Sequence, residues 1–212
     1  MSITIYGRAT SSNVQGVLWG LHELGLEYER IDLGGLHGGL DDPAFLSMNP
    51  NGRIPVMVDG PVTMFESAAI LRYLVRKYGD GRLSLADPLA DTWAEWAKHT
   101  MAEAFTVPIF WKCYRTPEDQ QDPEAIAECV REFENIAQTA MEKRGDSTWI
   151  MGDELTLADI WAGSVLYRYF DLDLDRNPPN GLVDYYAQLT DRKPYQDTIM
   201  VDYSELMDTL IG

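Results

Sequence analysis

Apolar side chains fall at Val14, Val17, Leu18, Leu21 and Leu24, the helical spacing that gathers them into one buried stripe. The pattern predicts a helix over 13–24, started by Ser11 or Ser12 as N-cap and stopped at Gly25. Residues 3–6 and 27–32 flank it as strands, and runs at 55–58 and 62–64, joined by Asp59-Gly60, read as a hairpin. Between them lie a glycine-rich loop over 34–40 and a short helix from Asp42-Pro43 to Met48. A helix over 66–78 follows the hairpin.

Gly79-Asp80-Gly81-Arg82-Leu83 breaks this pattern. From Asp87-Pro88 onward the spacing is helical, over 88–114, 123–144, 156–170, 181–190 and 194–210, with Thr116-Pro117 and Pro178-Pro179 as interruptions. The expected fold is α+β: a thioredoxin-like unit over residues 1–79, in the order β-α-β-α-β-β-α, followed by an all-α unit over 87–212. Thr156-Leu157-Ala158-Asp159 has the form of a capping box, and Leu155 with Ile160 that of a hydrophobic staple across it, a structural task.

A chain of 212 residues with 45% hydrophobic content has material for real cores without covalent staples. Its two cysteines, Cys113 and Cys129, have neither redox-pair spacing nor the count of a disulfide framework, which fits a reducing, cytoplasmic setting. The N-terminus lacks the basic and apolar regions of an export signal, and no apolar run is long enough to span a membrane. With 34 acidic against 17 basic residues, the net charge of −17 repels phosphate backbones and anionic lipid, so neither nucleic acid nor membrane is an expected partner. The same acidity would suit a salty surrounding, where surface carboxylates keep a protein hydrated.

Candidate chemistry is concentrated between Asn49 and Ile70. Asn49-Pro50-Asn51-Gly52 reads as a turn feeding Arg53-Ile54-Pro55, with the proline at the first position of a strand, where its missing N–H is tolerated. Composition alone favours a trans Ile54-Pro55 bond. Glu66-Ser67 opens the next helix. A serine hydroxyl and free N–H groups at a helix start capture a carboxylate, and a glutamate receives an ammonium, although the same pair also serves as an ordinary helix start.

The pattern Asn-Pro-x-Gly-Arg-Ile-Pro, with Glu-Ser eleven residues after the proline, resembles the cytosolic glutathione transferase superfamily. Gly152-x-x-Leu-Thr-x-Ala-Asp resembles the buried capping motif of that superfamily's helical domain, so the resemblance spans most of the chain. It implies a cis Pro55, an Ile54 backbone that meets the cysteinyl part of glutathione, and Glu66 and Ser67 holding the γ-glutamyl end. Glutathione is the implied co-substrate, a homodimer the implied assembly, and no metal is expected.

The resemblance also places Ser11, forty-four residues before Pro55, where theta- and delta-class enzymes carry the serine that contacts the glutathione sulfur. Its hydroxyl and the positive end of the first helix would favour thiolate over thiol, while helix capping is the alternative use of Ser11 and Ser12. Asn13 stands where Ser-x-Pro is usual, and Gln15 replaces the usual arginine. Hydroxyl, any residue, then asparagine resembles the bacterial Nu class, which reduces disulfides with glutathione, so Asn13 is a second candidate donor. Tyr6 is expected to pack, since strand alternation sets it opposite Ile3 and Ile5. The theta-like pattern wants a histidine at Leu40, and His37 and Arg53 are candidate substitutes for holding the glycyl carboxylate.

A small electrophile, or a disulfide, is expected to meet the thiolate beside the first helix of the second unit. Phe105, Phe110, Trp111 and Tyr114 are candidates, of which at most half should face the cleft, because aromatics at helical spacing are usually core. Arg115 would aid an anionic substrate. Cys113 and Cys129 are not expected as nucleophiles, since neither sits at a helix start in the first unit. Conjugation, disulfide reduction, dehalogenation and isomerisation all begin from the same thiolate. The non-enzymatic alternative is a protein-binding module of the same fold, against which Ser11, Ile54, Glu66 and Ser67 count.

Overall fold

Strand β1 (Ile3–Tyr6) buries Ile3 and Ile5 and leaves Thr4 and Tyr6 half-buried, the alternation of a strand inside a sheet. This computed structural model describes residues 3–210. β1 pairs in parallel with β2 (Tyr28–Ile31) and antiparallel with β3 (Val56–Asp59), and β3 pairs with β4 (Val62–Phe65), giving the order β2-β1-β3-β4. Helix α1 (Ser12–Glu23) connects the parallel pair, α2 (Pro43–Met48) precedes the hairpin, and α3 (Ser67–Tyr78) follows it, as the periodicity predicts. Asp59 at the end of β3 accepts from Tyr73 Oη (2.8 Å), Lys77 Nζ (2.6 Å) and Tyr78 Oη (2.8 Å), fastening α3 to the sheet. Burial alone would raise the Asp59 carboxyl, but these donors together outweigh it and hold its pKa low.

From Pro88 onward the elements are helical: α4 (Pro88–Trp96), α5 (Glu103–Phe105), α6 (Pro123–Arg144), α7 (Leu157–Asp171), α8 (Leu182–Thr190) and α9 (Lys193–Thr198). Two expectations need correction. The helix expected over 88–114 is broken by wide π-helical turns at Ala97–Ala102 and Thr106–Arg115. Pro108 sits in the second of these, bringing no N–H to the ladder, and its ring displaces the carbonyl one turn back. The helix expected over 194–210 ends at Thr198. Beyond it, the Asp202 carboxylate accepts from the Ser204 N–H (3.1 Å) and hydroxyl (2.8 Å), a local turn that competes with helix and leaves only a short 3₁₀ turn at Ser204–Leu206. Among the described residues no helix is long and apolar enough to cross a membrane.

Helix α1 packs against α3 on one side and against α7 and α9 on the other. A Cβ at Gly16 would lie 2.5 Å from the Trp161 ring, and one at Gly163 would lie 2.9 Å from the Trp19 ring. Each of these two helices thus omits a side chain where the other's tryptophan enters. Polar ties follow the same seam. Arg192 donates to both Glu23 carboxylate oxygens (2.8 and 2.5 Å), and the buried Gln15 amide donates to the carbonyls of Thr198 (3.3 Å) and Ile199 (3.4 Å).

The expected capping box is present at the start of α7. Asp159 is fully buried and accepts four hydrogen bonds of 2.9 Å, from the Ile150 and Thr156 N–H groups and the Thr156 and Tyr185 hydroxyls. Asp159→Ala strands several of these donors in the core. It is expected to lower the unfolding free energy by about 3 kcal/mol or more in urea titrations, and a loss below about 1 kcal/mol would show that the network is dispensable.

Candidate active site

Asn49 is 3% exposed and builds the turn in front of β3. Its amide Nδ2 donates to the Arg53 carbonyl (2.7 Å), and its Oδ1 accepts from the Asn51 N–H and amide (3.1 Å each). Gly52, at φ +59°, turns the chain over it. The following Ile54-Pro55 bond is cis, as the family resemblance implies and against the composition-based preference. Ile54 lies against the β1 end: a Cβ on Gly7 would be 3.1 Å from Ile54 Cβ, close enough to force the two apart.

Glu66 holds φ +71° and ψ +107° immediately before α3, a backbone region that side chains with a Cβ rarely occupy. It is exposed, whereas Ser67 is buried at the helix start. The Ser67 hydroxyl donates to Asn13 Oδ1 at 3.1 Å, and Lys98 Nζ donates to the same oxygen at 3.0 Å. An ammonium can only donate, so the Asn13 carbonyl must face it and the amide nitrogen must face away. That nitrogen has no protein partner among the described residues. Lys98 also lies 4.8 Å over the Trp161 ring, and burial lowers its pKa against the opposing pull of Glu66.

Asn13, Lys98 and Trp161 meet in a cleft of about 470 Å³ between α1 and the π-turned segment, lined also by Ser12, Arg53 and Trp111, while Ile54, Pro55, Glu66 and Ser67 are not among its lining residues. Ser11 stands beside it as the half-buried N-cap residue of α1, and its side chain makes no capping bond. His37 is exposed at the end of a 3₁₀ turn, Gly35–His37, and does not line the cleft. Of the four aromatic candidates, Trp111 alone faces it. Phe105 and Phe110 are each 1% exposed and belong to the helical core, where Phe105 packs on Phe133 and Tyr169 and Phe110 on Tyr203. Tyr114 turns to a separate pocket with Tyr167 and Tyr203, and Arg115 to another beside Arg8. Burial pushes the Cys113 thiol up to about 11, leaving it protonated and unreactive.

Two residues that the sequence reading missed organise this region. Lys98 sits in a helical stretch where a lysine normally signals solvent. Arg168 is 5% exposed on α7 and donates to the Thr10 carbonyl (2.7 Å) and to Gln15 Oε1 (3.3 Å), while its guanidinium lies over Phe110 (4.4 Å) and Tyr203 (5.2 Å). Burial, with the repulsion of Arg8 and Arg115, lowers its pKa to about 10. Arg168, from the other half of the chain, thus donates to Gln15, which stands where the resemblance expects an arginine. An isolated charge within the apolar run of α7 was the available signal.

Residues 1–76 match the family described as glutathione S-transferase, N-terminal domain, and residues 102–189 match glutathione S-transferase, C-terminal domain. Glutathione S-transferase GstB of Escherichia coli (strain K12) is 35% identical, over 95% of this chain and 100% of that protein. The chain belongs to the glutathione S-transferase family. The theta class glutathione S-transferase of Xanthomonas axonopodis pv. citri, solved with glutathione bound, superposes with a TM-score of 0.88 at 35% identity, covering 95% of this chain and 98% of that one. Glutathione S-transferase 4 of Zea mays is 29% identical over 78% of this chain and 77% of its own. Both the expected fold and the expected glutathione transferase activity are borne out by this membership.

In this glutathione S-transferase the strained backbone of Glu66 adjoins the cleft, and strain of this kind costs about 1–3 kcal/mol. Glycine lacks the Cβ that a positive φ penalises, although it loses about 0.5–1 kcal/mol of chain entropy on folding. Glu66→Gly is therefore expected to raise the urea midpoint, by the equivalent of roughly 1 kcal/mol. A midpoint below that of the native protein would show that the conformation is unstrained.

Proposed function

We propose that residues 1–79 form the glutathione-binding unit and that residues 87–212 supply the wall against which a small electrophile meets the sulfur. The N–H groups at the start of α3, beginning with that of Ser67, take the γ-glutamyl carboxylate, and Glu66 takes its ammonium. The Ile54 backbone ahead of Pro55 meets the cysteinyl part. Arg53, which lines the cleft, takes the glycyl carboxylate in preference to His37. Ser11 and Asn13 flank the sulfur.

The observation that carries this reading is the orientation of Asn13. Its carbonyl is held by Ser67 and Lys98, so its amide is left to donate to an anion, and the ammonium behind it polarises that donor. With the Ser11 hydroxyl and the positive end of α1, it favours thiolate over thiol. A fall of ~2 units from an ordinary thiol pKa of about 8.5 makes thiolate the main species at neutral pH and corresponds to ~2.7 kcal/mol. The thiolate sulfur then attacks the electrophilic carbon, and the leaving group departs with its bonding pair. Serine stabilises the nucleophile and does not itself attack.

Thiolate absorbance in glutathione difference spectra, followed across pH, tests these roles. Ser11→Ala, Asn13→Ala and Lys98→Met are each expected to raise the bound thiol pKa by about one unit, and Glu66→Ala to weaken glutathione binding about tenfold without moving that pKa. Native behaviour in all four variants would overturn the assignment. The hydroxyl-x-asparagine arrangement at Ser11 and Asn13 supports a second reading, in which the same thiolate attacks a disulfide and a second glutathione releases the product thiol. Turnover of bis(2-hydroxyethyl) disulfide coupled to glutathione reductase separates it from conjugation.

Two free cysteines are in keeping with a cytoplasmic setting. A homodimer is supported by the family resemblance and by a groove of about 510 Å³ beside α3, lined by Met64, Ala69, Tyr73 and three basic residues. Light scattering is expected to give about twice the 24.0 kDa chain mass, and a single-chain mass would end that assignment.

A further inference from the structure

A second pocket, of about 360 Å³, opens on the other side of the loop that leads into α1. Arg8 and Arg115 line it together with Gly35, Leu36, Glu205 and Leu206. The Ser11 N–H donates to the Arg8 carbonyl (3.3 Å), so the pocket adjoins the N-cap turn of α1. At its other edge, a Cβ on Gly34 would lie 3.3 Å from both Arg8 Nη1 and Ile54 Cδ1. The pocket therefore borders the turns that carry Ser11, assigned to the sulfur, and Ile54, assigned to the cysteinyl backbone. Trp111 links it to the larger cleft, since its ring lies 4.6 Å from the Arg115 guanidinium.

The charges of this pocket are unbalanced. Arg8 Nε is buried without a hydrogen-bond partner among the described residues. The nearest carboxylate, Glu205, is 3.9 Å from it, and its Oε1 already accepts from the Thr10 hydroxyl. Among the described residues, Arg115 Nε donates only to Thr209 Oγ1, at 2.9 Å. Two guanidiniums face one carboxylate among the described residues that line the pocket, on a chain whose net charge is −17. Burial holds both guanidiniums below arginine's ordinary pKa, and Arg8 lowers Arg115 further, as expected of like charges awaiting an anion.

We propose that the Arg8–Arg115 pocket is the second-substrate subsite and that it selects electrophiles bearing a carboxylate. The inference rests on the reading of the adjoining cleft as a glutathione site. A planar carboxylate matches the fork of a guanidinium, and the apolar walls, Leu36 and Leu206, suit the body of a small aromatic or alkyl group. A halonitrobenzoate illustrates the reaction. The thiolate sulfur bonds to the ring carbon that carries the halogen, the carbon–halogen bond breaks, and halide leaves with the bonding pair, with no proton transferred.

Calorimetric titration with product conjugates tests the subsite without depending on turnover. The probes are glutathione, S-(4-carboxy-2-nitrophenyl)glutathione and its neutral 4-carbamoyl analogue. The carboxylate conjugate is expected to bind at least about tenfold tighter than the amide, and Arg115→Gln to reduce that ratio to within about threefold. Arg8→Gln should do the same, while Arg115→Gln, at the more exposed side chain, covers the case in which Arg8→Gln fails to fold. Equal affinities for the two conjugates, a preference unchanged in Arg115→Gln, or glutathione binding with neither conjugate bound would overturn the proposal while leaving the glutathione reading standing. Failure of all three probes to bind would instead bring down the glutathione reading itself, and this proposal with it.

Discussion

Helix α1 has no room for a side chain at Gly16, because the Trp161 ring of α7 occupies that space, and α7 yields in the same way to Trp19 at Gly163. This reciprocal seating interlocks the two helices and leaves little freedom to rock one against the other. The rest of the site inherits its geometry from that contact. The start of α1 carries Ser11 and Asn13, and the Arg168 guanidinium from α7 grips the Thr10 carbonyl just before it. A buried arginine without a carboxylate partner is costly. Here it is offset by the carbonyl, the Gln15 amide oxygen and the faces of two aromatic rings.

Electrostatics then divide the molecule into two regimes. The surface as a whole is acidic and discourages anions at long range, while Lys98, Arg53, Arg8, Arg115 and Arg168 gather around the start of α1. Within a partly desolvated cleft such local charges act more strongly than the screened surface field. An anion entering this region thus meets local positive charge although the chain as a whole repels polyanions. Lys98 contributes twice, as a cation and as the group that orients the Asn13 amide.

Departures from regular structure cluster around the same space. Glu66 is held at positive φ beside the cleft, and the segment carrying Lys98, Trp111 and Arg115 runs in wide π turns rather than a regular helix. A wider turn rotates successive side chains away from helical register. Trp111 therefore reaches the cleft, Phe110 stays in the core, and Tyr114 and Arg115 open onto two other pockets.

Much of this was legible in local pattern. Period-two and helical spacing identified the four strands and most of the helices, since burial of one face is a local property of the chain. The turn at Asn49, the Glu66-Ser67 helix start and the Thr156–Asp159 capping box were readable because each closes within a few residues. The end of the helix at Thr198 and the second π turn were not, as they depend on a local side-chain turn and on a proline working against strong apolar periodicity. Neither were the roles of Lys98 and Arg168, nor the pairing of Arg8 with Arg115. Those contacts join residues some 85 to 158 positions apart, and only the packing of α7 and the π-turned segment against α1 brings them together. Short-range spacing specified which groups the chain carries, and tertiary packing decided which of them face one another, because side-chain direction and electrostatic partners are set by neighbours that are remote along the chain.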